Sequence, residues 1–337
     1  MATIDDVAKH AGVSKGTVSS VFSKKRPISQ AVTERVLSVA RELGYYPNHV
    51  ARSLAIKKTM IAGLKMPISK DGVMSQFEIQ MINGVIRECS RHGYRVLLDT
   101  LPEHDDPRQF SSDPVDGVIM LNPRKNDARI ERYSQMGIPL VLVGRPDPMD
   151  PTISYVDNDN KLMAYQVGNY LLQLGHRSVL FLNASADMTV SADRQSGLTE
   201  AFNEQGLSIP PENLVNFLRK LHVSVSDYGY HSLMNTYGKL NYTAVITDTD
   251  RVALGVLRAA RELGIDVPGD LSVIALSNDA TLAQEMSPKL TSVELSAEVL
   301  GTQAASILIQ KMNDASIVKQ HVVDAKLVYR ETCRSLP

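Results

Sequence analysis

The sequence predicts two kinds of structure in one chain: an all-α N-terminal headpiece, then an α/β core of two doubly wound parallel-sheet subdomains. In the first 46 residues, apolar side chains recur at helical spacing. From residue 60 onward, strand-like apolar runs alternate with amphipathic helical segments, as in parallel βαβ units. Roughly 280 residues of this alternation exceed one compact sheet, so two subdomains with a cleft between them are expected.

Three short helices are predicted in the headpiece. A capping box at Thr3 starts the first helix, IDDVAKHA, and Gly12 ends it. The second helix is KGTVSSVF, which Ser14 can cap because its hydroxyl accepts amide hydrogens of the first turn. We expect Ser29 to cap the third helix and Gly44 to end it in the left-handed conformation.

The core is predicted from its repeated strand and helix patterns. The helical patterns often end at glycine and lead directly into the next apolar run, which is typical of buried parallel strands covered on both faces. The strands are predicted at IAGLKM, VLLDT, GVIMLN, PLVLVG, SVLFLN, TAVIT and LSVIAL. The segment between headpiece and core, residues 47–59, holds no long apolar face, so a helix there is marginal in isolation.

Charge is distributed unevenly along the chain. Residues 1–58 contain ten Lys/Arg and four Asp/Glu, which gives +6, whereas the remainder carries 26 basic and 33 acidic residues, which gives −7. A basic end on an acidic body favours a polyanionic partner for that end, although basic patches are also common on ordinary solvated surfaces.

The sequence also predicts the compartment. No apolar run reaches the roughly 18–20 residues that span a bilayer, and MATIDDVAKH lacks the basic and apolar segments of an export signal. Cys89 and Cys333 stand apart without motif spacing, so no disulfide framework is expected. We therefore predict a cytoplasmic protein with no membrane partner.

The first two helices form a helix-turn-helix: IDDVAKHA, the turn GVSK, then GTVSSVF. In this motif the second helix enters the major groove and its N-terminal residues meet base edges. Lys15 lies on that first turn, where it can donate to guanine. The alternative is a generic three-helix domain with a Ser-capped helix.

The runs TIDDVAKHAGVSKGTVSSVFS and ELGYYPNHVARSLA closely resemble the lactose/galactose repressor (LacI/GalR) family. Further motifs follow in the same order, including GIPLVLVGR, VDNDN, DRQSGL and TAVITDTDRVALGVLRAARELG. The resemblance covers nearly all of the chain. It implies a transcriptional regulator, a repressor in first choice, that binds a near-palindromic double-stranded DNA operator as a homodimer. It also implies that this cytoplasmic protein is associated with a bacterial nucleoid.

The resemblance also assigns DNA contacts. The base-reading positions correspond to Lys15, Gly16 and Ser20. Gly16 has no side chain and the side chain of Ser20 is short. Direct base readout is therefore expected to depend on Lys15, and phosphate contacts and DNA shape are expected to contribute more to binding. Contacts to the DNA backbone are assigned to polar headpiece residues: Thr3, Ser14, Thr17, Ser19, Ser29, Thr33, Tyr45 and Asn48.

After Pro47 the family has a hinge helix that folds on DNA and enters the minor groove as a pair. The matching residues are Ala51, Arg52, Ser53, Leu54 and Ala55, with Leu54 as the wedge in the central base step. Apolar wedges that unstack a step and bend the duplex are a known minor-groove device. Taken alone, Leu54 is equally an ordinary apolar residue of a linker.

The resemblance extends to periplasmic sugar-binding proteins, whose two subdomains close around a ligand. It implies three chain crossings, near residues 160, 290 and 322. The headpiece is then 1–46 and the hinge 47–59; the N-terminal subdomain is 60–160 with 291–322, and the C-terminal subdomain is 161–290 with 323–337.

The effector site is expected at the carboxyl ends of the strands. Its candidate residues are Phe77, Gln80, Asp159, Arg194, Thr249, Asp250, Ser277 and Asn278. Arg194 matches the family's effector-binding arginine, whereas Asp159 can equally be a helix cap. Ser277 stands where many sugar-binding relatives have an aspartate that accepts two hydroxyl protons, which serine cannot do.

Either Asn278 or Asp279 takes the place of that aspartate, or the effector is not a simple free sugar. A sugar or sugar derivative is still the first choice of effector, and nucleobases, phosphorylated sugars or a phosphoprotein corepressor stay open. No cofactor, metal site or catalytic residue is predicted, because GxGxxG after the first strand, P-loop, GxSxG and HExxH motifs are absent. His176 is interpreted as a helix-end residue rather than a catalytic base. The remaining alternative is a solute-binding receptor without a DNA role, which the basic helical headpiece disfavours.

Overall fold

The computed structural model describes residues 2–23, 26–46, 58–66, 74–99, 114–218, 224–277 and 280–337. The chain divides into two compact units, Met1–Met60 and Ile61–Pro337. The hinge positions Asn48, Ala51, Arg52, Ser53, Leu54 and Ala55 lie outside the described residues, as does Asn278.

The described part of the headpiece contains three helices: α1 (Ile4–Ala11), α2 (Lys15–Ser23) and α3 (Gln30–Glu42). Thr3 and Asp6 form the predicted capping box, and Gly12 has a left-handed φ of 63°. The Ser14 hydroxyl accepts a hydrogen bond from the Thr17 amide at 3.1 Å. These local signals fix both ends of the turn between α1 and α2.

One headpiece prediction is wrong in detail. Ser29 occupies the position before α3, but its side chain makes no capping hydrogen bond to the described part of that helix. Ser29 is exposed, so water can solvate the amides of the first turn in its place. Gly44 does adopt the left-handed conformation, with φ of 62°.

The headpiece core is small and apolar. Val7, Val18 and Val36 are fully buried, one from each helix, and Ala8, Ala11, Val21 and Ala40 complete the buried cluster. Helical spacing of these residues therefore accounts for the packing of all three helices.

The described residues of the second unit form two six-stranded sheets. The first has the order β11-β5-β4-β3-β1-β2 and is parallel throughout; the second has the order β12-β10-β9-β8-β6-β7, with only the β10–β12 pair antiparallel. The strands are β1 (Ile61–Lys65), β2 (Arg95–Asp99), β3 (Gly117–Leu121), β4 (Leu140–Val143), β5 (Ser154–Asn158), β6 (Val179–Asn183), β7 (Leu214–Asn216), β8 (Ala244–Thr247), β9 (Ser272–Ala275), β10 (Thr291–Glu294), β11 (Gln320–Val323) and β12 (Lys326–Val328).

Helices cover the sheets, as the βαβ pattern predicts. They are α4 (Gln76–Arg91), α5 (Ala128–Gln135), α6 (Asn160–Gln173), α7 (Thr189–Glu204), α8 (Val225–Thr236), α9 (Asp250–Leu263), α10 (Ala280–Glu285) and α11 (Ala297–Asn313). Helices α4 and α11 pack together beside the first sheet, while α6 with α7 and α8 with α9 pack beside the second. Apolar residues of strands and helices form a buried cluster on each face of the second sheet.

The chain passes between the two sheets three times. It leaves the first sheet after Asn158, returns between Glu294 and Ala297, and leaves again between Val323 and Lys326. The predicted boundary at residue 290 comes too early, because β10 still pairs with β9 in the second sheet. An apolar strand has the same pattern in either sheet, so the sequence did not assign β10.

Among the described residues, no helix combines the length and apolar character needed to cross a membrane.

Candidate nucleic-acid interface and effector site

Helix α2 has one face that is polar and accessible to solvent and another that is buried in the headpiece. Val18 and Val21 are buried in the headpiece, whereas Lys15 and Gly16 are exposed and Ser20 is half-buried. The three predicted base-reading positions therefore lie together on the outer face of α2, together with Ser19. The absence of a side chain at Gly16 allows the backbone of α2 to approach a groove closely.

Lys15 forms an ion pair with Asp5 of α1. Its Nζ lies 2.6 Å from Asp5 Oδ1, and the two side chains are 62% and 54% exposed. Because both groups are well solvated, the pair contributes little to headpiece stability. A base edge or phosphate can therefore displace Asp5 at small cost.

Ser20 uses its hydroxyl proton within the helix. Its Oγ donates to the Gly16 carbonyl at 2.7 Å. The lone pairs of Ser20 Oγ can still accept a hydrogen bond. In this rotamer Ser20 can therefore accept from the amino group of adenine or cytosine.

The predicted backbone-contacting residues occupy different environments. Thr3, Ser14 and Ser29 are exposed, while Thr17, Ser19 and Thr33 are half-buried. Ser14 and Thr17 also join their hydroxyls at 3.0 Å. The ring of Tyr45 packs on Phe22, with centroids 5.7 Å apart, and burial raises its pKa. Tyr45 therefore has a role in the headpiece core in addition to any DNA contact.

In the core, Arg194 is buried at the centre of a polar cluster. Its Nη1 forms an ion pair with Asp248, and its Nε donates to Asn160 Oδ1 at 3.2 Å. Arg194 is only 5% exposed, so it is not a surface arginine. Burial raises the pKa of Asp248, and the adjacent guanidinium opposes that rise.

Asp157 and Asn158 connect this cluster to the crossings. Asp157 accepts hydrogen bonds from the Arg145 amide at 3.1 Å and from Asn160 Nδ2 at 3.0 Å. Burial raises the pKa of Asp157 to about 6, and hydrogen bonds to the carboxylate and the charge of Arg145 partly offset the rise. The Asn158 amide donates to the carbonyls of Leu295 and Val323, at 3.1 and 2.8 Å, and so ties all three crossings together.

Several predicted effector residues act as helix caps. Asp159 is exposed and its carboxylate accepts from the Leu162 amide at 2.9 Å, which is the capping alternative. Thr249 caps α9 by accepting from the Val252 amide at 3.3 Å. Asp250 is buried in the first turn of α9, where a carboxylate is favoured by the helix dipole.

Phe77 and Gln80 of α4 lie beside the second crossing. With Glu294, Leu295 and Ser296 they line a depression of about 30 Å³, which has room for water but not for a sugar. Phe77 also packs on the apolar cluster of the second sheet. Ser277 is half-buried at the end of β9. A ligand among these residues thus requires the two subdomains to move.

A larger cavity of about 760 Å³ lies along α7. Its lining includes Lys125, Ser191, Gln195, Asn203 and Asn216, and it contains none of the predicted effector residues. We therefore do not assign the effector to it.

Sequence reasoning missed Asp157, Asn158, Asn160 and Asp248. The first three were inside the VDNDN motif, of which only Asp159 was selected. Asp248 directly follows the strand TAVIT, and the choice went to the next two residues, Thr249 and Asp250. A carboxylate directly after a buried strand was the available signal.

Two family models match the chain. Residues 3–48 match the bacterial regulatory proteins of the lacI family, and residues 169–333 match a periplasmic binding protein-like domain.

Known proteins are similar over almost the full length. The HTH-type transcriptional regulator RegA of Clostridium saccharobutylicum is 31% identical over 98% of this chain and 99% of its own. The structure of a transcriptional regulator CelR–cellobiose complex is 27% identical, with a TM-score of 0.73 over 98% of this chain and all of the other. The lac repressor dimer bound to operator and an anti-inducer has a TM-score of 0.80 at 22% identity over 99% of both chains, which shows the shared fold.

Proposed function

The chain belongs to the lacI family of bacterial regulatory proteins, and from that premise we propose that it represses transcription from a near-palindromic operator. It binds this duplex as a homodimer, and a small molecule in the core controls its affinity. The observation that carries the proposal is the outer face of α2, where Lys15, Gly16 and Ser20 stand above a buried Val18 and Val21.

Two headpieces are needed because one recognition helix makes a small interface. Paired half-sites about one helical turn apart raise affinity and impose a near-palindrome. The core offers an apolar surface for pairing, since β2 is an edge strand of the first sheet and its Leu97 and Leu98 are each 38% exposed. Within the described ranges no strand pairs with the outer side of β2, and exposed apolar residues on such an edge support a second copy as partner.

The hinge remains part of the proposal through its sequence. Residues Asn48 and Ala51 to Ala55 match the family's hinge helix, with Leu54 as the minor-groove wedge. Because that segment is marginal as an isolated helix, a modest change in the core can alter its folding on DNA.

Effector control acts through the angle between the subdomains. Polar contacts join the two subdomains: Arg145, after β4, pairs with Asp193 of α7, and Arg251 of α9 donates to the Met74 carbonyl at 3.3 Å. Such contacts can break and re-form as the subdomains close, while Asn158 holds the crossings together. A ligand that prefers one closure angle thereby shifts the population that binds DNA.

The effector class is a sugar or sugar derivative. Support comes from the similarity to the CelR–cellobiose complex and from Arg194, whose guanidinium can donate to hydroxyls. Whether the effector induces or corepresses is settled by the sign of its effect on operator affinity.

The test is a fluorescence-anisotropy titration of a palindromic operator with full-length protein, with and without neutral and phosphorylated sugars. We expect tight, salt-dependent binding that at least one sugar shifts. Removal of residues 1–58 is expected to abolish operator binding and leave ligand-induced thermal stabilisation intact. A protein whose operator affinity is unmoved by every ligand that it binds would refute the allosteric part.

A further inference from the structure

The Arg194–Asp248 ion pair joins elements that are distant in the sequence. Arg194 lies in α7, Asp248 follows β8, and Asn160, which accepts from Arg194 Nε at 3.2 Å, begins α6. Side chains from three elements thus converge on one buried guanidinium. Such convergence positions both members of the pair tightly.

Asp248 lies at the carboxyl edge of the second sheet. It is the first residue after β8, and the next strand is held alongside by a 2.8 Å hydrogen bond from the Leu276 amide to the Thr247 carbonyl. The Asp248 side chain is 20% exposed, whereas that of Arg194 is 6% exposed. A ligand that reaches this edge therefore meets the carboxylate at least as readily as the guanidinium.

The arginines at the carboxyl ends of the strands of both sheets lie beside carboxylates. Arg145 pairs with Asp193, and Arg194 pairs with Asp248. Asp157 adds a further acidic group beside Arg145, since it accepts from that residue's amide at 3.1 Å. Arg251, which donates to the Met74 carbonyl, directly follows Asp250 in the first turn of α9. The three arginines and four aspartates named here give this region no excess of positive charge to attract an anion.

A paired guanidinium and carboxylate form a donor next to an acceptor. Adjacent hydroxyls of a neutral sugar can accept from the first and donate to the second at once. A phosphate or carboxylate in the same place would face Asp248, and repulsion between like charges is strong where water is partly excluded.

We propose that Asp248 is a specificity-determining residue of the effector site and that, with Arg194, it selects an uncharged, hydroxyl-rich effector over anionic ones. This inference rests on the proposed function, in which the core cleft binds the effector.

The experiment uses the full chain and isothermal titration calorimetry. The probes are matched neutral and anionic pairs: glucose with glucose 6-phosphate, cellobiose with its phosphate, and inorganic phosphate alone. The test variant is Asp248→Asn, which keeps the side-chain shape and removes the charge. The control is Asp227→Asn, which removes the carboxylate of another arginine pair, Arg258–Asp227, at 2.8 Å in the same subdomain.

We expect the wild type to bind no phosphorylated probe more tightly than its neutral counterpart. Asp248→Asn should bind inorganic phosphate and glucose 6-phosphate at least tenfold more tightly than the wild type, because Arg194 loses its counterion. Asp227→Asn should match the wild type. Adding Arg194→Gln to Asp248→Asn should remove the gain.

Preferential binding of a phosphorylated sugar by the wild type would overturn the inference, and so would a folded Asp248→Asn protein with no gain over Asp227→Asn. If Asp248→Asn does not fold, the wild-type comparison decides. Operator binding by the same wild-type preparation tests the proposed function separately, so the two can fail independently.

Discussion

Asp157 makes stability depend on pH in an uncommon direction for a carboxyl group. Burial raises its pKa to about 6, above the ordinary value of 3.8. A raised pKa means that the folded state favours the protonated form, so its stabilising contribution is present at low pH and is lost as the pH rises through about 6.

We predict that the wild type loses stability relative to Asp157→Asn between pH 4 and pH 7, by up to about 3 kcal/mol for a shift of this size. Urea unfolding at several pH values measures the difference. Parallel stability curves for the two proteins over this range would contradict the assigned pKa.

Substitutions at Lys15 and Asp5 are expected to change operator affinity in opposite directions. Lys15→Ala should weaken operator binding by about 1–3 kcal/mol and relax specificity at one position, because a base contact is lost. Asp5→Asn should tighten binding, since it releases Lys15 from its 2.6 Å ion pair and removes a negative charge near phosphates. Anisotropy titrations measure both.

The matched control for these variants is Lys239→Ala, an exposed lysine of the core. It should leave operator affinity unchanged. Equal losses for Lys15→Ala and Lys239→Ala would show that only overall charge matters.

For single residues, the sequence predicted which side chains are exposed better than it predicted which side chains they contact. Lys15 and Gly16 are exposed as the amphipathic spacing of α2 requires. Asp248 was missed because four polar residues, Asp248 to Arg251, follow β8, and the sequence does not indicate which of them contacts Arg194. Thr249 caps α9, and this places the preceding residue at the edge.

Pairs of helices in the core approach each other closely at glycine residues. A Cβ at Gly301 of α11 would lie 2.0 Å from the Met81 carbonyl oxygen of α4, and a Cβ at Gly84 would lie 2.2 Å from the Glu298 carbonyl oxygen. Gly197 makes the same close approach between α7 and α6, at 1.9 Å from the Lys161 carbonyl oxygen. The backbones of these helices are therefore in direct contact.

Gly301→Ala distinguishes packing from helix propensity. Propensity alone predicts stabilisation by about 1 kcal/mol, since glycine is unfavourable inside a helix. The backbone contact predicts destabilisation by about 1–3 kcal/mol or more, because backbone atoms cannot yield as a flexible side chain can. Thermal unfolding decides, and Gln303→Ala in the same helix serves as the control, with little change expected.

Element bounds in the headpiece followed from local chemistry. Helix α1 covers IDDVAKHA as expected, because Thr3 and Gly12 act within a few residues of its ends. The core crossings depend on contacts between residues far apart in the chain, such as the pairing of Thr291 with Ile274. No local pattern records that pairing, and for this reason the boundary at 290 was misplaced.

Across the whole molecule, Asn158 is the residue that connects the three crossings. Asn158→Ala leaves the buried carbonyls of Leu295 and Val323 without this donor. We expect a loss of about 1–3 kcal/mol in the free energy of unfolding, and a weaker effect of ligand on operator affinity. Anisotropy titrations with and without a bound sugar measure the coupling; unchanged coupling in a destabilised protein would limit Asn158 to a structural role.

The division of the chain into headpiece and core was largely predictable from the sequence. The net charge, the spacing of apolar residues and the type of motif all change near residue 60. Effector identity was not, because it depends on which side chains meet across the cleft. Arg194 and Asp248 form an ion pair although 53 residues separate them in the chain. Those residues include strands β7 and β8 of the second sheet and helix α8.

Selection of bound duplexes from a random pool by the full-length protein tests the central claim most directly. We predict enrichment of near-palindromic sequences whose half-sites stand at one fixed spacing, with a preferred base opposite Lys15. Recovery of the starting pool unchanged, at moderate salt and with each small molecule in turn, would contradict the assignment of the headpiece to sequence-specific DNA binding.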